Sequence, residues 1–202
     1  MLAQVLAGYQ PVSGEMTLDG RRIDDETALE RAGRGISLMA GDRTAVAAIP
    51  AFTVAENLVL KRPRAAGVAG RINLRRQEIN RVASVAVAEW DIRPPDPGAR
   101  FGTLSGGNMQ RVIAARDIPR GARLLIAVNP VQGLDMRTSE LLWRRLRQHA
   151  STGAVVLVFV SDIDEAMANA DDLAVMFDGT LSAMAPVTAW TRAAVAARMV
   201  GG

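Results

Sequence analysis

Cysteine is missing from all 202 residues, so the chain holds no disulfide and no thiolate metal site, and a reducing compartment is permitted. One histidine, His149, leaves no second imidazole for a multi-histidine metal centre or a paired acid–base site. It falls near the end of an expected helix and reads as a polar tip at that helix C-terminus rather than as a ligand. Lysine occurs once, as Lys61. Long apolar runs are absent too: the best, Leu124–Val128 and Ala154–Val160, have strand length and fall well short of a membrane span. The opening MLAQVLAGYQPVSG lacks the basic n-region of a secretory signal. These features place the chain in the cytoplasm, reaching a membrane only through a partner.

What is present suits one α/β domain: 49% of the residues are hydrophobic and 22% charged, enough for a core and too apolar for disorder. The net charge is +3, and nearly all positive charge is arginine. Guanidinium groups stay protonated far above neutrality, so the basic isoelectric point reflects that choice of residue more than a nucleic-acid footprint. Lys61, Arg62, Arg64, Arg71, Arg75, Arg76 and Arg81 form a basic stretch without interleaved aromatics for base stacking. It reads as a solvated helical face, and no nucleic-acid partner is expected.

Hydrophobic period and punctuation predict the elements. Leu2–Leu6 is helical and stops near Gly8, and Glu15–Leu18 is a strand ending in an Asp19-Gly20 hairpin turn. Thr27–Ala32 is a helix stopped by Gly33, and Gly35–Met39 a strand. Thr53-Val-Ala-Glu56 has capping-box spacing. Ile79, Val82, Val85, Val87 and Ala88 recur at helical spacing over Gln77–Trp90, ended by the proline-rich Arg93–Pro97. Ser105 caps a helix to about Ala115. Leu124–Val128 and Ala154–Val160 are buried-type strands flanking a helix over Ser139–His149, and Asp162–Ala168 is a helix. Leu173–Phe177 is a third such strand, Asp178-Gly179 turns into Leu181–Met184, and a last helix covers Val187–Met199. Alternating strands and helices imply a mostly parallel sheet covered on both faces, with a helical insertion at about residues 51–118.

The segment Leu104-Ser-Gly-Gly-Asn-Met-Gln-Arg111 carries the most chemistry. Ser105 at a helix start, followed by Gly106 and Gly107, offers free N–H groups, close backbone approach and the positive end of a helix dipole to an anion. The segment resembles the signature motif of ABC ATPases, in the LSGGNQQ-type form of the C-terminal ATPase domain of simple-sugar and nucleoside importers, with Met109 a mild departure. The resemblance covers almost the whole chain in order. Leu6–Gly14 and Leu18–Ile23 are similar to the stretch after the phosphate loop, and Thr53–Leu58 to the start of the helical subdomain. Asp91–Pro95 resembles the approach to the signature, Leu124–Asp135 the Walker B strand and D-loop, and Leu173–Gly179 the closing strand and turn.

The resemblance implies a P-loop NTPase fold of ABC type over residues 1–202 as one domain, and its departures define the functional expectation. No glycine loop precedes Lys61, so the phosphate loop and its strand are missing from this sequence. Val128 and Asn129 stand at the Mg²⁺-binding aspartate and water-orienting glutamate of Walker B, Ser161 at the switch histidine, and Gly41 at the Q-loop position. Valine binds no cation and asparagine is a very poor base. The signature (Ser105, Gly106, Gly107, Asn108) and the D-loop Asp135 are retained. In the family each ATP, with its Mg²⁺, lies between one subunit's phosphate loop and the other's signature. The expected partners are therefore a second ABC ATPase domain and a transmembrane permease. The alternatives are an ATPase active by itself, a nucleic-acid-binding protein, and a non-functional remnant of a longer gene.

Overall fold

The computed structural model describes residues 2–41, 47–61, 75–118 and 121–201. The chain divides into two compact units, residues 1–159 and 160–202.

The first unit opens on α1 (Leu2–Leu6) and a hairpin of β1 (Thr17–Leu18) and β2 (Arg21–Arg22). The turn residues Asp19 and Gly20 both have positive φ, 52° and 76°, the geometry that matches a tight turn to strand twist. Helix α2 (Ala28–Gly33) follows, then β3 (Ile36–Met39). The expected stop at Gly33 is displaced: Gly33 ends the helix, and Gly35 takes the left-handed turn at φ 90°. Thr27 and Glu30 form a capping box on α2. The Arg31 guanidinium, only 1% exposed, donates to the carbonyls of Val5 (2.6 Å), Leu6 (3.0 Å) and Asp24 (3.1 Å), so a buried cation closes the C-terminal end of α1.

The helical stretch holds α3 (Val54–Val59), α4 (Arg76–Glu89), a 3-10 turn at Phe101–Thr103 and α5 (Gly106–Asp117). The Thr53–Glu56 capping box forms as the spacing predicts. The buried face of α4 is Ile79, Ala83 and Val87, continued by Trp90, while Val85 and Ala88 are exposed. The apolar period is thus carried partly by an alanine. Among the described residues, 51–118 contain no strand beyond an isolated Thr53–Arg100 bridge. Arg62, Arg64 and Arg71 of the basic stretch lie outside the described residues. Within the rest, Arg81 pairs with Glu78, and Lys61 pairs with Asp117 at 2.9 Å.

Next come β4 (Leu124–Val128), α6 (Met136–Ala150) and β5 (Val155–Phe159). Strands β3, β4 and β5 form a parallel sheet in that order, with Ile36 opposite Leu124 and Leu124 opposite Val155. One face, with Ile36, Leu38, Leu124, Ile126, Val128 and Phe159, packs with Ala3, Leu6, Ala7, Met16 and Ile23. The alternate residues turn to the other face, where Ser37 Oγ donates to the Asp117 carbonyl of α5 at 2.8 Å. Helix α6 starts three residues earlier than expected because the Asp135 carboxylate caps it, accepting from the Thr138 N–H at 3.0 Å. Thr138, Leu142, Leu146 and His149 form its buried stripe. His149 sits in the last turn, as its place in the sequence implies.

Residues 160–202 hold α7 (Ile163–Asn169), β6 (Asp172–Leu173), β7 (Met176–Phe177), β8 (Thr180–Leu181), β9 (Ala185–Pro186), a 3-10 turn at Val187–Ala189 and α8 (Arg192–Met199). The single strand expected over Leu173–Phe177 is two short ones, β6 paired with β9 and β7 with β8, both antiparallel. The ladder breaks at Val175, whose N–H is taken by the Ser182 side chain at 2.9 Å. The last helix also begins later than expected: Trp190 is extended and Thr191 caps α8 through the Ala194 N–H. Leu173, Val175 and Val195 form this unit's core with Ile163, Met167 and Trp190 around them.

One buried group ties the helical stretch to the sheet. The Asp117 side chain is fully buried and pairs with Arg116 (2.6 Å) and Lys61 (2.9 Å), while Lys61 Nζ also donates to the Leu38 carbonyl at 2.7 Å. Replacing Asp117 by Ala would strand two cations near the core. It is expected to cost about 3–5 kcal/mol, read as a lowered urea midpoint with an unchanged slope, and Thr53→Ala about 1 kcal/mol through its cap.

Candidate functional site

The start of α5 (Gly106–Asp117) holds the residues expected to meet an anion. Ser105, in extended conformation (φ −65°, ψ 155°), accepts from the Asn108 N–H at 3.4 Å and from Asn108 Nδ2 at 2.9 Å. Ser105 and Gly106 are exposed, so the first N–H groups of a twelve-residue helix face outward. Asn108 Oδ1 accepts the Arg93 N–H at 2.8 Å, holding the preceding loop against this end.

Gly107 lets the starts of α5 and α6 approach closely. A Cβ there would lie 3.1 Å from Thr138 Oγ1 and 3.3 Å from Asp135 Oδ2. The starts of α5 and α6 therefore lie close together, and Gly107 and Asp135, expected as signature and D-loop residues, meet in one place. Asp135 accepts from both the N–H and the hydroxyl of Thr138 (3.0 and 2.9 Å). These bonds, the backbone one first, hold its carboxyl below the usual carboxylate range.

Residues absent from the sequence-based list bind this end to the core. Gln110, 1% exposed, donates to the Pro130 carbonyl in the loop after β4 at 2.7 Å. Arg111, also buried, donates to the Asp91 carbonyl at 2.6 Å and to Thr138 Oγ1 at 3.4 Å. Both follow the signature on α5 by less than one turn. A polar pair directly after a glycine-rich helix start is the signal that could have revealed them.

The end of β4 carries the opposite chemistry. Val128 packs with the apolar cluster around α1. Asn129 has φ 41°, a left-handed conformation that asparagine tolerates better than most side chains. Its N–H donates to the Phe159 carbonyl at 2.8 Å. Gly41 is jammed against this strand end: a Cβ would come 2.7 Å from the Val128 carbonyl oxygen and 3.6 Å from Asn129 Cβ. Gly41, Val128 and Asn129 are thus brought together and supply no charged oxygen. Ser161 lies exposed in the other compact unit, just before Asp162, which caps α7. Among the described residues no His, Asp and Glu cluster could hold a metal, and no helix is long and apolar enough to cross a membrane. Valine, a crowded glycine and a strand-end asparagine do not fit Mg²⁺.

The family model described as ABC transporter matches residues 1–132. The chain belongs to the ABC transporter family. A guanosine import ATP-binding protein, NupO of Bacillus subtilis, is 34% identical over 85% of this chain and 34% of its own length. A nucleoside import ATP-binding protein, NupA of Lactococcus lactis, is 30% identical over all of this chain and 40% of its own. A ribose import ATP-binding protein, RbsA 1 of Rubrobacter xylanophilus, is 29% identical over 92% of this chain and 37% of its own. This ABC chain therefore spans little more than a third of the length of these curated relatives. A solved dimer of the ATP-binding cassette MJ0796, bound to ADP and Pi, superposes with a TM-score of 0.73 at 21% identity. The match covers 92% of this chain and 79% of that one, and the ABC ATPase fold follows from it.

Two outcomes follow. Gly41→Ala must force a shift against the Val128 carbonyl and is expected to lower stability by about 1–3 kcal/mol, seen as a drop in thermal midpoint. The Asp135 carboxyl, lowered in the folded state, stabilises the α6 start fully above the ordinary carboxylate pKa and loses that effect as pH falls through its own. The stability difference between wild type and Asp135→Asn is expected to be constant above the ordinary carboxylate range and to shrink as pH falls below it.

Proposed function

We propose that this chain is an ATP-binding domain of an ABC importer for simple sugars or nucleosides, and that it completes a partner's ATP site rather than running one of its own. The observation that carries the reading is an asymmetry. The α5 start, with Ser105, Gly106, Gly107 and Asn108 beside Asp135, is exposed and braced, while the β4 end offers Val128, Asn129 and Gly41 where a cation and a water would need ligands. The relatives' import functions support the transport class.

In this reading the phosphates and Mg²⁺ are held mainly by a second ABC ATPase domain. Ser105 and the N–H groups of Gly106 and Gly107 approach the terminal phosphate from the other side, and the positive end of α5 complements its charge. Asn108 orients the Ser105 hydroxyl, and Asp135 keeps the two helix starts in register. Asn129 supplies no general base, so the chain alone does not turn over ATP. A transmembrane permease holds it peripherally at the cytoplasmic face of the membrane.

Equilibrium dialysis of the purified chain against MgATP is expected to show no binding at micromolar concentrations. Tight binding by the chain alone would sink the reading. In a complex with a competent ATPase domain and permease, Ser105→Ala is expected to cut ATP turnover by about 10–100-fold. Thr53→Ala, which removes a cap of the same chemistry elsewhere, should leave turnover within about twofold. Equal effects of the two variants would reduce Ser105 to a helix cap.

A further inference from the structure

Helices α2, α3 and α5 each begin on a hydroxyl cap, and α5 uses its hydroxyl the other way round. At α2, Thr27 Oγ1 accepts from the Glu30 N–H (3.4 Å) and donates its own proton to the Glu30 carboxylate (2.8 Å). At α3, Thr53 Oγ1 accepts from the Glu56 N–H (3.1 Å) and donates to the Glu56 carboxylate (2.9 Å). In both capping boxes the hydroxyl proton is spent inside the chain, on an acid at the third helical position.

At α5 the third helical position is Asn108. Its backbone N–H and its Nδ2 both donate to Ser105 Oγ, at 3.4 and 2.9 Å. The direction of the amide is set from its other side. The Arg93 N–H can only donate, so the Asn108 atom 2.8 Å from it is Oδ1, and Nδ2 is left for Ser105. Arg111 of α5 donates to the Asp91 carbonyl (2.6 Å) and carboxylate (3.2 Å), which ties the loop carrying the Arg93 N–H to the same helix. A hydroxyl oxygen has two acceptor sites and one proton. Both acceptor sites of Ser105 are filled from Asn108, and its proton has no acceptor among the described residues. Ser105 is exposed, so that proton is left for a group from outside the chain.

We propose that Asn108 is a positioning residue that fixes Ser105 as a hydrogen-bond donor, with the Arg93 N–H setting this polarity. The inference rests on the proposed completion of a partner's ATP site and names what that site selects. A donor-only hydroxyl beside the first N–H groups of α5 takes an ionised phosphoryl oxygen, a pure acceptor, and has no lone pair left for a protonated one. The loop between α4 and α5 thereby acts on the site through its backbone alone.

The test compares Asn108→Asp, Ser105→Ala and the double variant by ATP turnover, in the complex of this chain with a competent ATPase domain and permease. The new carboxylate keeps the shape of the amide. One oxygen still receives the Arg93 N–H, and the other takes the Ser105 proton as Glu30 and Glu56 take theirs. Asn108→Asp is expected to lower turnover by about 10–100-fold, as Ser105→Ala does, and the double variant to lie within about twofold of Ser105→Ala alone. In the isolated chain the urea midpoint of Asn108→Asp is expected at or above that of wild type, because the helix stays capped. Effects of the two substitutions that multiply would overturn the inference, since added charge or lost packing acts without the hydroxyl. A urea midpoint below wild type would overturn it too, as the carboxylate would then not hold the hydroxyl. Undiminished turnover in Asn108→Asp beside a slow Ser105→Ala would overturn it and leave the proposed function standing, whereas undiminished turnover in Ser105→Ala would remove both.

Discussion

The buried carboxylate of Asp117 is the constraint on which the first unit depends. It ends α5, and it gathers Arg116 and Lys61 while its own carbonyl receives the Ser37 hydroxyl. Ser37 and Leu38 belong to β3, and Lys61 follows α3. One residue therefore fastens the helical stretch to the sheet at the C-terminal end of α5. A carboxylate out of water is tolerable only because cations and donors surround it. The opposite end of the same helix is thereby aimed, and that end carries the signature.

Helix α5 is fixed along its length as well. Gln110 is bonded to the loop after β4, Arg111 to Asp91 and Thr138, and Gly107 lies against Asp135. The first N–H groups of α5 are thus held on a rigid element, the kind of arrangement the proposed phosphate contact requires. The end of β4 is equally well packed, but around apolar contact and backbone crowding rather than around a charge. Val128 joins the cluster near α1, and Gly41 closes on the Val128 carbonyl. The two halves of the site diverge in chemistry, not in order.

Much of this was legible in the residues. Leu124–Val128 was recognisable as a strand because five apolar residues between breakers suit burial on both faces. The Thr53–Glu56 capping box and the Asp-Gly hairpin turns announce themselves through local hydrogen bonds and positive φ, which need no distant partner. The signature helix was legible for the same reason. The strand expected over Leu173–Phe177 was not, since the side chain of Ser182, seven residues after Val175, interrupts it. Which of the α4 apolar positions are buried was not legible, and Val85 and Ala88 are exposed, because hydrophobicity alone does not say which of two adjacent stripes meets a neighbour. Arg31 gave no signal: its role is to donate to carbonyls at the end of a helix some twenty-five residues away.

The sequence by itself determined the family, the parallel α/β character, the Leu104–Arg111 motif and the absence of a carboxylate at Val128 and Asn129, because each is written in residue identity and short-range spacing. Only the tertiary structure decided that Gly41 has no room for a side chain and that Lys61 serves Asp117 and Leu38 rather than a basic face. Those depend on what another part of the chain places within a few ångströms. Periodicity reports which way a side chain points, and only packing reports what it meets there.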